Sequence, residues 1–220
     1  MRKKLIVLFT LACGFALFFP PLPEKVPLVS VFHITENPVV ITRGTYSSAL
    51  TVNISFGDDD VEQWIQTLKK PYPLLLVDPD WAGRFPETIR LINEKSIPTG
   101  LLGHEGATYE KNAQLLNEQI EKFESFFDAK PLWFRTIDEV FPSSLHALLW
   151  KAEINALGST ITWDGEDIPP TVEGEIISVP HHQKNRIYLP TLKKLTESRD
   201  FQTIEEVLFG PIGKTKKIPK

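Results

Sequence analysis

The sequence predicts an α/β protein in which helices cover a parallel sheet or a barrel. The first observation is a stretch of alternating apolar residues, 50–56, followed directly by apolar residues at helical spacing, 61–68. The second is that this succession of strand and helix recurs as far as residue 208, which gives roughly six βα units. The third is composition: 220 residues, 42% hydrophobic and 24% charged, describe one globular domain with a short appendage.

The first βα unit is bounded by a run of acids. Apolar and polar residues alternate over 50–56, and the strand stops at 57–60, which reads Gly-Asp-Asp-Asp. Asp59 or Asp60 is placed to cap the first turn of the helix that follows. A strand that ends in acids is a common position for a functional site, because ligands of parallel sheets and barrels bind at the carboxyl ends of the strands.

The later units follow from the same two periods. Further strands are predicted at 73–77, 97–102, 132–134, 154–162 and 175–179. Further helices are predicted at 85–95, 109–128, 142–151, 191–197 and 203–208. This alternation is typical of a parallel sheet, so polar residues just past the strand ends are expected at one common edge.

The N-terminus has the pattern of an export signal. Three cations at 2–4 precede an apolar run from Leu5 to Phe19, which Pro20 and Pro21 end. We therefore predict four regions: a signal peptide or signal anchor at 1–19, a Pro-rich linker with short β segments at 20–49, a barrel domain at 50–210 and a basic tail at 211–220. Cleavage and retention of the segment both stay open, and either predicts an extracytoplasmic protein that is secreted or held in the membrane.

Charge and cysteine content exclude some classes of protein. The chain has 24 Lys and Arg against 28 Asp and Glu, a formal charge of -4, without the basic stripe that nucleic-acid binding needs. Nucleic acid is therefore not an expected partner. The single cysteine, Cys13, lies in the N-terminal apolar run, so the chain can form no intramolecular disulfide.

A colinear series of motifs resembles the polysaccharide (NodB-like) deacetylases. Ser55–Asp58 is similar to the strand-end T-F-D-D of that family, and Phe134-Arg135 to the start of its F-R-x-P motif. Residues 161–167, 174–181 and 201–208 are similar to W-S-x-D-x-x-D, G-S-I-x-L-x-H and F-x-T-L-x-E-L-L. The resemblance implies a distorted (β/α) barrel and a metal-bound water that releases acetate from an N-acetylated sugar.

The motifs depart from the family at the residues that carry chemistry. Gly57 occupies the position of the base, and Leu102 and Gly106 replace the two metal-binding histidines, which leaves Asp58 and His104 as remnants of the metal site. A hydrolytic metal needs three fixed protein ligands, so we expect no cofactor, and zinc or another divalent metal only if activity survives. Shifting the alignment by one residue, so that Asp58 and Asp59 take the two acidic positions, would displace the strand register and point their side chains to other faces.

Four residues are remnants of the catalytic machinery in this resemblance: Arg135, Asp164, His181 and His182. Arg135 is expected to form a salt bridge with Asp58 or Asp164 at the barrel mouth, because no catalytic Asp is left for it to orient. Either histidine could replace the acid histidine of the family, whose aligned position holds Pro180.

Aromatic residues are the candidates for contact with a glycan. Trp81, Trp163 and Asp167 are the predicted ligand-binding residues, with Trp81 expected to be exposed. Tyr109 and Trp133 could also stack on sugars, although a core position is the stronger expectation for Trp133 and Trp163 because aromatic side chains bury large apolar areas.

Three functions remain open from the sequence. The first is a catalytically impaired envelope protein that binds a cell-envelope glycan or an envelope protein. The second is an active, metal-dependent N-deacetylase of an amino-sugar polymer. The third is a glycan hydrolase that uses a cluster of carboxylates at the barrel mouth, drawn from Asp58, Asp78, Glu105, Asp138, Asp164 and Glu166.

Overall fold

The computed structural model describes residues 34–35, 37–57, 59–182 and 189–210. The predicted signal segment, residues 20–33 and 36 of the linker region, Asp58 and the basic tail lie outside these residues. Within the described part, no helix is long and apolar enough to cross a membrane.

The described residues form one sheet with helices between its strands. The strands are β1 Val40–Ile41, β2 Ser48–Ile54, β3 Leu74–Val77, β4 Thr99–Gly103, β5 Trp133–Thr136, β6 Asn155–Leu157, β7 Ile161–Thr162, β8 Glu175–His181 and β9 Phe201–Gln202. The helices are α1 Asp59–Thr67, α2 Pro79–Ala82, α3 Pro86–Lys95, α4 Gly106–Lys111, α5 Leu115–Phe127, α6 Ser143–Lys151, α7 Leu192–Glu197 and α8 Ile204–Phe209, with a 3-10 turn at Leu189–Thr191.

The sheet is parallel at every pairing of its strands. The order is β1-β6-β5-β4-β3-β2-β8-β7, and β9 pairs with the beginning of β2. In register, Ile54 at the end of β2 lies opposite Val77 of β3 and His181 of β8. This curled half-barrel with flanking helices confirms the predicted α/β class and the distorted (β/α) barrel.

Both faces of the sheet are buried, since every residue of the central strands β2 and β3 is buried, although only β3 is apolar throughout. On one face, Leu50, Val52 and Ile54 pack against the apolar side of α1. On the opposite face, Ala49 packs with residues of α8, a helix that begins with a capping box between Thr203 and Glu206. Thr51 and Asn53 alternate with these apolar residues and therefore project to the second face.

The predicted elements are confirmed in type, and three boundaries differ. The predicted helix 109–128 is two helices, because the chain turns at Asn112, the C-cap of α4, before α5 begins. The predicted strand 154–162 is split into β6 and β7, with Gly158 between them. In the region assigned to linker and short β segments, β1 pairs with β6 and residues 48–49 already belong to β2, so this part of the chain contributes to the sheet.

Candidate functional site

The parallel sheet brings the polar strand-end residues to one edge. Ser55 and Gly57 follow β2, Asp78 follows β3, His104 follows β4, and His181 ends β8. This carboxyl edge is where ligands bind in parallel α/β folds. The structure therefore brings these strand-end residues together at one edge, and what they can do depends on the contacts of each side chain.

Gly57 has no room for a side chain. Its φ is +93°, in the region that favours glycine. A Cβ built on this residue would lie 2.7 Å from Val61 Cγ2, 2.8 Å from Asp60 Oδ1 and 2.9 Å from His181 Nε2. The carbonyl oxygen of Gly57 accepts a hydrogen bond from Trp81 Nε1 at 2.8 Å, which fixes the peptide from the other side. Gly57 is thus enclosed by its neighbours, and a larger side chain at this position would require them to move.

His181 and His182 lie behind Gly57 and are both buried. The imidazole Nε2 of His181 lies 3.8 Å from Asp60 Oδ2. His182 is 8% exposed, and its Nδ1 lies 2.9 Å from Ser55 Oγ. Burial, and then the nearby His181, lower the pKa of His182 to about 4. His182 is therefore neutral at neutral pH, where it is poorly suited to act as an imidazolium acid.

Ser55 and Asp60 are site residues that the sequence reasoning missed. Ser55 begins the motif similar to T-F-D-D, but its hydrogen bond to His182 depends on the pairing of β2 with β8, 127 residues apart in sequence. Asp60 is one of the two acids predicted to cap this helix, but it lies inside α1, which begins at Asp59, and its carboxylate faces His181. The run of acids at 58–60 indicates in the sequence where a site is expected, whereas the partner of each acid depends on tertiary structure.

Arg135 is a structural residue inside the sheet. Its side chain is fully buried, and burial lowers its pKa to about 10. The guanidinium donates five hydrogen bonds, to Thr51 Oγ1, Asn53 Oδ1, Ser178 Oγ and the carbonyl oxygens of Leu157 and Gly158, at distances of 2.7 to 3.1 Å. Its nearest carboxylate is that of Glu139, at 3.7 Å.

The expected salt bridge between Arg135 and Asp164 is therefore wrong. Asp164 is exposed after the edge strand β7, and its carboxylate accepts a hydrogen bond from the backbone N–H of Glu166 at 3.2 Å. The other expected partner, Asp58, lies outside the described residues. Arg135 instead satisfies polar groups of the three strands β2, β6 and β8 and of the β6–β7 turn, because it projects to the same sheet face as Thr51, Asn53 and Ser178.

The described residues do not supply a hydrolytic metal site. They contain no group of three or more His, Cys, Asp or Glu side chains that could hold an ion. His104 is exposed, and Leu102 is buried in the core. At Gly106 a Cβ would lie 2.2 Å from the carbonyl oxygen of Val140, so a histidine there would require the backbone to move. Of the two predicted remnants, Asp58 is outside the described residues and His104 has no second histidine beside it.

The acids of the carboxyl edge are occupied by backbone donors. Asp78 accepts hydrogen bonds from the N–H groups of Asp80 and Trp81 at 2.7 and 2.9 Å, and burial raises its pKa. Asp138 accepts from the N–H groups of Gly106 and Val140. These carboxylates stabilise the turns after their strands, which favours the structural interpretation over a pair of catalytic acids.

The aromatic residues proposed to bind sugars are buried. Trp81 is 0% exposed, so the expectation that it faces solvent is wrong. Trp163 is buried too, and its Nε1 donates to the carbonyl oxygen of Asp167 at 3.1 Å, while the side chain of Asp167 is exposed. Trp133 and Tyr109 are each 1% exposed. Stacking on these four rings would require the core to open.

Sheet topology and flanking helices together define a half-barrel of the polysaccharide-deacetylase type. Solved structures with this fold include a CE4 family pseudoenzyme from Bacillus anthracis, 16% identical, with a TM-score of 0.64 over 79% of this chain and 70% of that one. A chitin deacetylase from the fungus Colletotrichum lindemuthianum is 16% identical, with a TM-score of 0.63 over 81% and 95% of the two chains. The peptidoglycan deacetylase PdaC from Bacillus subtilis is 15% identical, with a TM-score of 0.58 over 76% and 92%.

At these identities the comparison establishes the fold, and the predicted resemblance is confirmed at that level. No family model matches the chain. No curated protein matches it either.

Proposed function

We propose that this chain is a catalytically impaired relative of the polysaccharide deacetylases that binds a glycan of the cell envelope. The observation that carries the proposal is Gly57. It stands at the position of the base, in a conformation that favours glycine, with His181 and Asp60 filling the space that an aspartate would need. The solved structures of the same fold include both deacetylases and a pseudoenzyme, so a barrel without activity has precedent.

The metal positions support the same proposal. A metal-bound water attacks efficiently only when three protein ligands hold the ion and leave one position open. Leu102 belongs to the core and Gly106 has no space for a larger side chain, so two of the three motif positions are structurally committed to other roles. Loss of the base and loss of the metal ligands are separate changes, and both affect the same reaction.

The proposed location is outside the cytoplasm. The cations at 2–4 followed by the apolar run 5–19 are typical of an exported chain, which would be secreted or attached to the membrane through this segment. The solved relatives in fold include proteins that act on chitin and on peptidoglycan, which are extracytoplasmic polymers. The proposed partner is thus an envelope glycan, with an envelope protein as the alternative and no role for nucleic acid.

Binding to purified envelope polysaccharide tests this function. The full chain, solubilised in a mild detergent, is mixed with insoluble peptidoglycan or chitin, and the bound fraction is measured after sedimentation. We expect saturable retention that soluble oligosaccharide of the same polymer displaces. Absence of retention on both polymers, under conditions in which the protein stays folded by circular dichroism, would contradict the proposed binding role.

A further inference from the structure

A groove of about 950 Å³ lies between α1 and α7 and is separate from the strand-end turns. On the α1 side it is lined by Asp60, Gln63, Trp64, Thr67 and Leu68, whose spacing places them on one face of the helix and its C-terminal extension. We call it the α1–α7 groove. Because Asp60 also faces His181, the groove begins beside the altered catalytic position.

The groove extends from the carboxyl edge of the sheet towards its amino edge. The nine residues of α1 span about 13 Å along the helix axis. Beyond the helix the wall continues through residues 69–73, which precede β3, and the opposite wall includes Phe201 and Gln202 of β9, next to the start of β2. This length suits an extended ligand of more than one ring.

The amino-edge end of the groove is positively charged. Lys69 and Lys70 are exposed, and their ammonium groups make no ion pair among the described residues. Lys70 Nζ lies 5.9 Å from the ring centroid of Tyr72. Lys193 adds a third charge, since its pair with Glu197 at 3.7 Å is on the surface and weak. Asp200 is the acid on this part of the lining.

Arg199 contributes little to this charge although it lines the same groove. Its side chain is 4% exposed and bonds to the buried carboxylate of Glu175 and to the carbonyl oxygen of Pro169. Its charge is therefore already neutralised within the fold. The lysines provide the cations that a ligand can reach, in a protein whose net charge is -4.

The floor of the groove is apolar, and the strand that contributes to it, β2, has no free edge. Leu50, Leu189 and Leu192 are buried there, with Trp64 at 9% exposure beside them. Leu50 belongs to β2, which has neighbours on both sides, so an extended peptide cannot add to the sheet at this place. An apolar floor with a cationic rim fits ligands with flat ring faces and carboxylates at their edges.

We propose that the α1–α7 groove binds an anionic glycan whose sugars carry carboxylate groups. The inference rests on the proposed glycan-binding function and specifies its site and ligand charge. The sugar rings lie against the partly exposed apolar residues of the lining, Leu68, Tyr72 and Phe201. Their carboxylates contact Lys69, Lys70 and Lys193. Glycan contact thus occurs through the side of the barrel, next to the strand ends and not at Trp81 or Trp163.

The test compares two oligosaccharides of equal length on the full chain in detergent by isothermal titration calorimetry. The probes are an oligomer of galacturonic acid, which carries carboxylates, and a neutral oligomer of N-acetylglucosamine. The variant Lys69→Gln/Lys70→Gln removes the unpaired cations. Its control, Lys111→Gln/Lys151→Gln, removes two exposed lysines at the ends of α4 and α6 and changes the net charge equally.

We expect the anionic oligomer to bind about tenfold or more tightly than the neutral one, and the Lys69→Gln/Lys70→Gln variant to lose about tenfold or more of that affinity. The control variant retains wild-type affinity, and added salt weakens binding because the lysines are exposed. Equal binding of both probes, or no effect of the groove variant, overturns the inference and leaves the proposed function standing.

Two further outcomes are distinguishable from that one. If neither oligosaccharide nor envelope polysaccharide binds, the proposed function fails and the inference fails with it. If a polyglutamate peptide binds as tightly as the galacturonate oligomer and depends equally on Lys69 and Lys70, the groove is a site for acidic peptides. That result overturns the glycan assignment.

Discussion

Placing an aspartate at Gly57, the position that the resemblance assigns to the catalytic base, is the perturbation whose result is most tightly fixed by the geometry. Gly57→Asp places a non-glycine residue at φ +93°, which costs about 1–2 kcal/mol. It also places a Cβ within 2.9 Å of Val61, Asp60 and His181, and overpacking of this kind costs about 1–3 kcal/mol. We therefore expect the free energy of unfolding to fall by about 2–5 kcal/mol.

Gly57→Ala is the matched variant, because it adds the same Cβ without a carboxylate. Both variants should lose stability in urea unfolding, and Gly57→Asp should lose more, since its carboxylate lies beside that of Asp60. Neither should release acetate from an N-acetylglucosamine oligomer after zinc loading. A mutant of the Bacillus anthracis pseudoenzyme has restored enzymatic activity. Gly57→Asp with wild-type stability and acetate release would refute the steric reasoning here.

The remaining predictions concern residues behind the site. Arg135→Met should lower the free energy of unfolding in urea by about 3–5 kcal/mol, because five buried acceptors lose their donor. A loss under about 1 kcal/mol would contradict the structural role of the Arg135 guanidinium. The pKa of His182 is about 4 in the fold and 6.5 ordinarily, so the unfolded chain binds the proton first as pH falls. The free energy of unfolding should drop by on the order of 3 kcal/mol between pH 6.5 and 4, and His182→Gln should remove this contribution to its pH dependence. The same pH dependence in the variant and the wild type would contradict the role of His182. Trp81→Phe should lower the free energy of unfolding by about 1–2 kcal/mol through the lost hydrogen bond to Gly57, with glycan affinity unchanged. Weaker glycan binding by this variant would indicate that Trp81 contacts the ligand.

The fold could be predicted from the sequence because its signals are local. The alternation over 50–56 and the helical spacing over 61–68 each depend on a few neighbouring residues, and both identify the first βα unit. The break at Asn112 was not visible, because the apolar stripe continues across it from Tyr109 to Phe127. The periodicity of apolar residues determines whether a segment is a helix or a strand. The position at which a helix breaks depends on tertiary packing.

The candidate site was predictable only where one motif position decides the outcome. The resemblance implies from the sequence alone that Gly57 stands at the position of an aspartate, and the structure adds that Asp60 and His181 occupy the space of a side chain there. The hydrogen-bond partners of Arg135 could not be predicted from the sequence, because they lie on strands 84 residues before it and 43 residues after it. The α1–α7 groove was missed for the same reason, since its two walls are far apart in the chain.

Trp81 illustrates the limit of composition as a guide to binding. A tryptophan after a strand end is compatible with a sugar platform and with a core anchor, and the two differ only in what covers the ring. Here the ring is tilted against Phe85 at a centroid distance of 5.2 Å, and its N–H is bonded to Gly57. Trp64, on the apolar face of α1 that the helical spacing predicts, is buried in the core and also lines the groove.

The most direct test of catalytic impairment is acetate release by the full chain after loading with zinc or cobalt, measured together with bound metal. The substrate is an N-acetylglucosamine oligomer, and an active deacetylase assayed in parallel confirms the conditions. We predict no acetate above the level of heat-denatured protein. Stoichiometric metal together with acetate release would contradict the proposed loss of activity and would require ligands other than those at the altered motif positions.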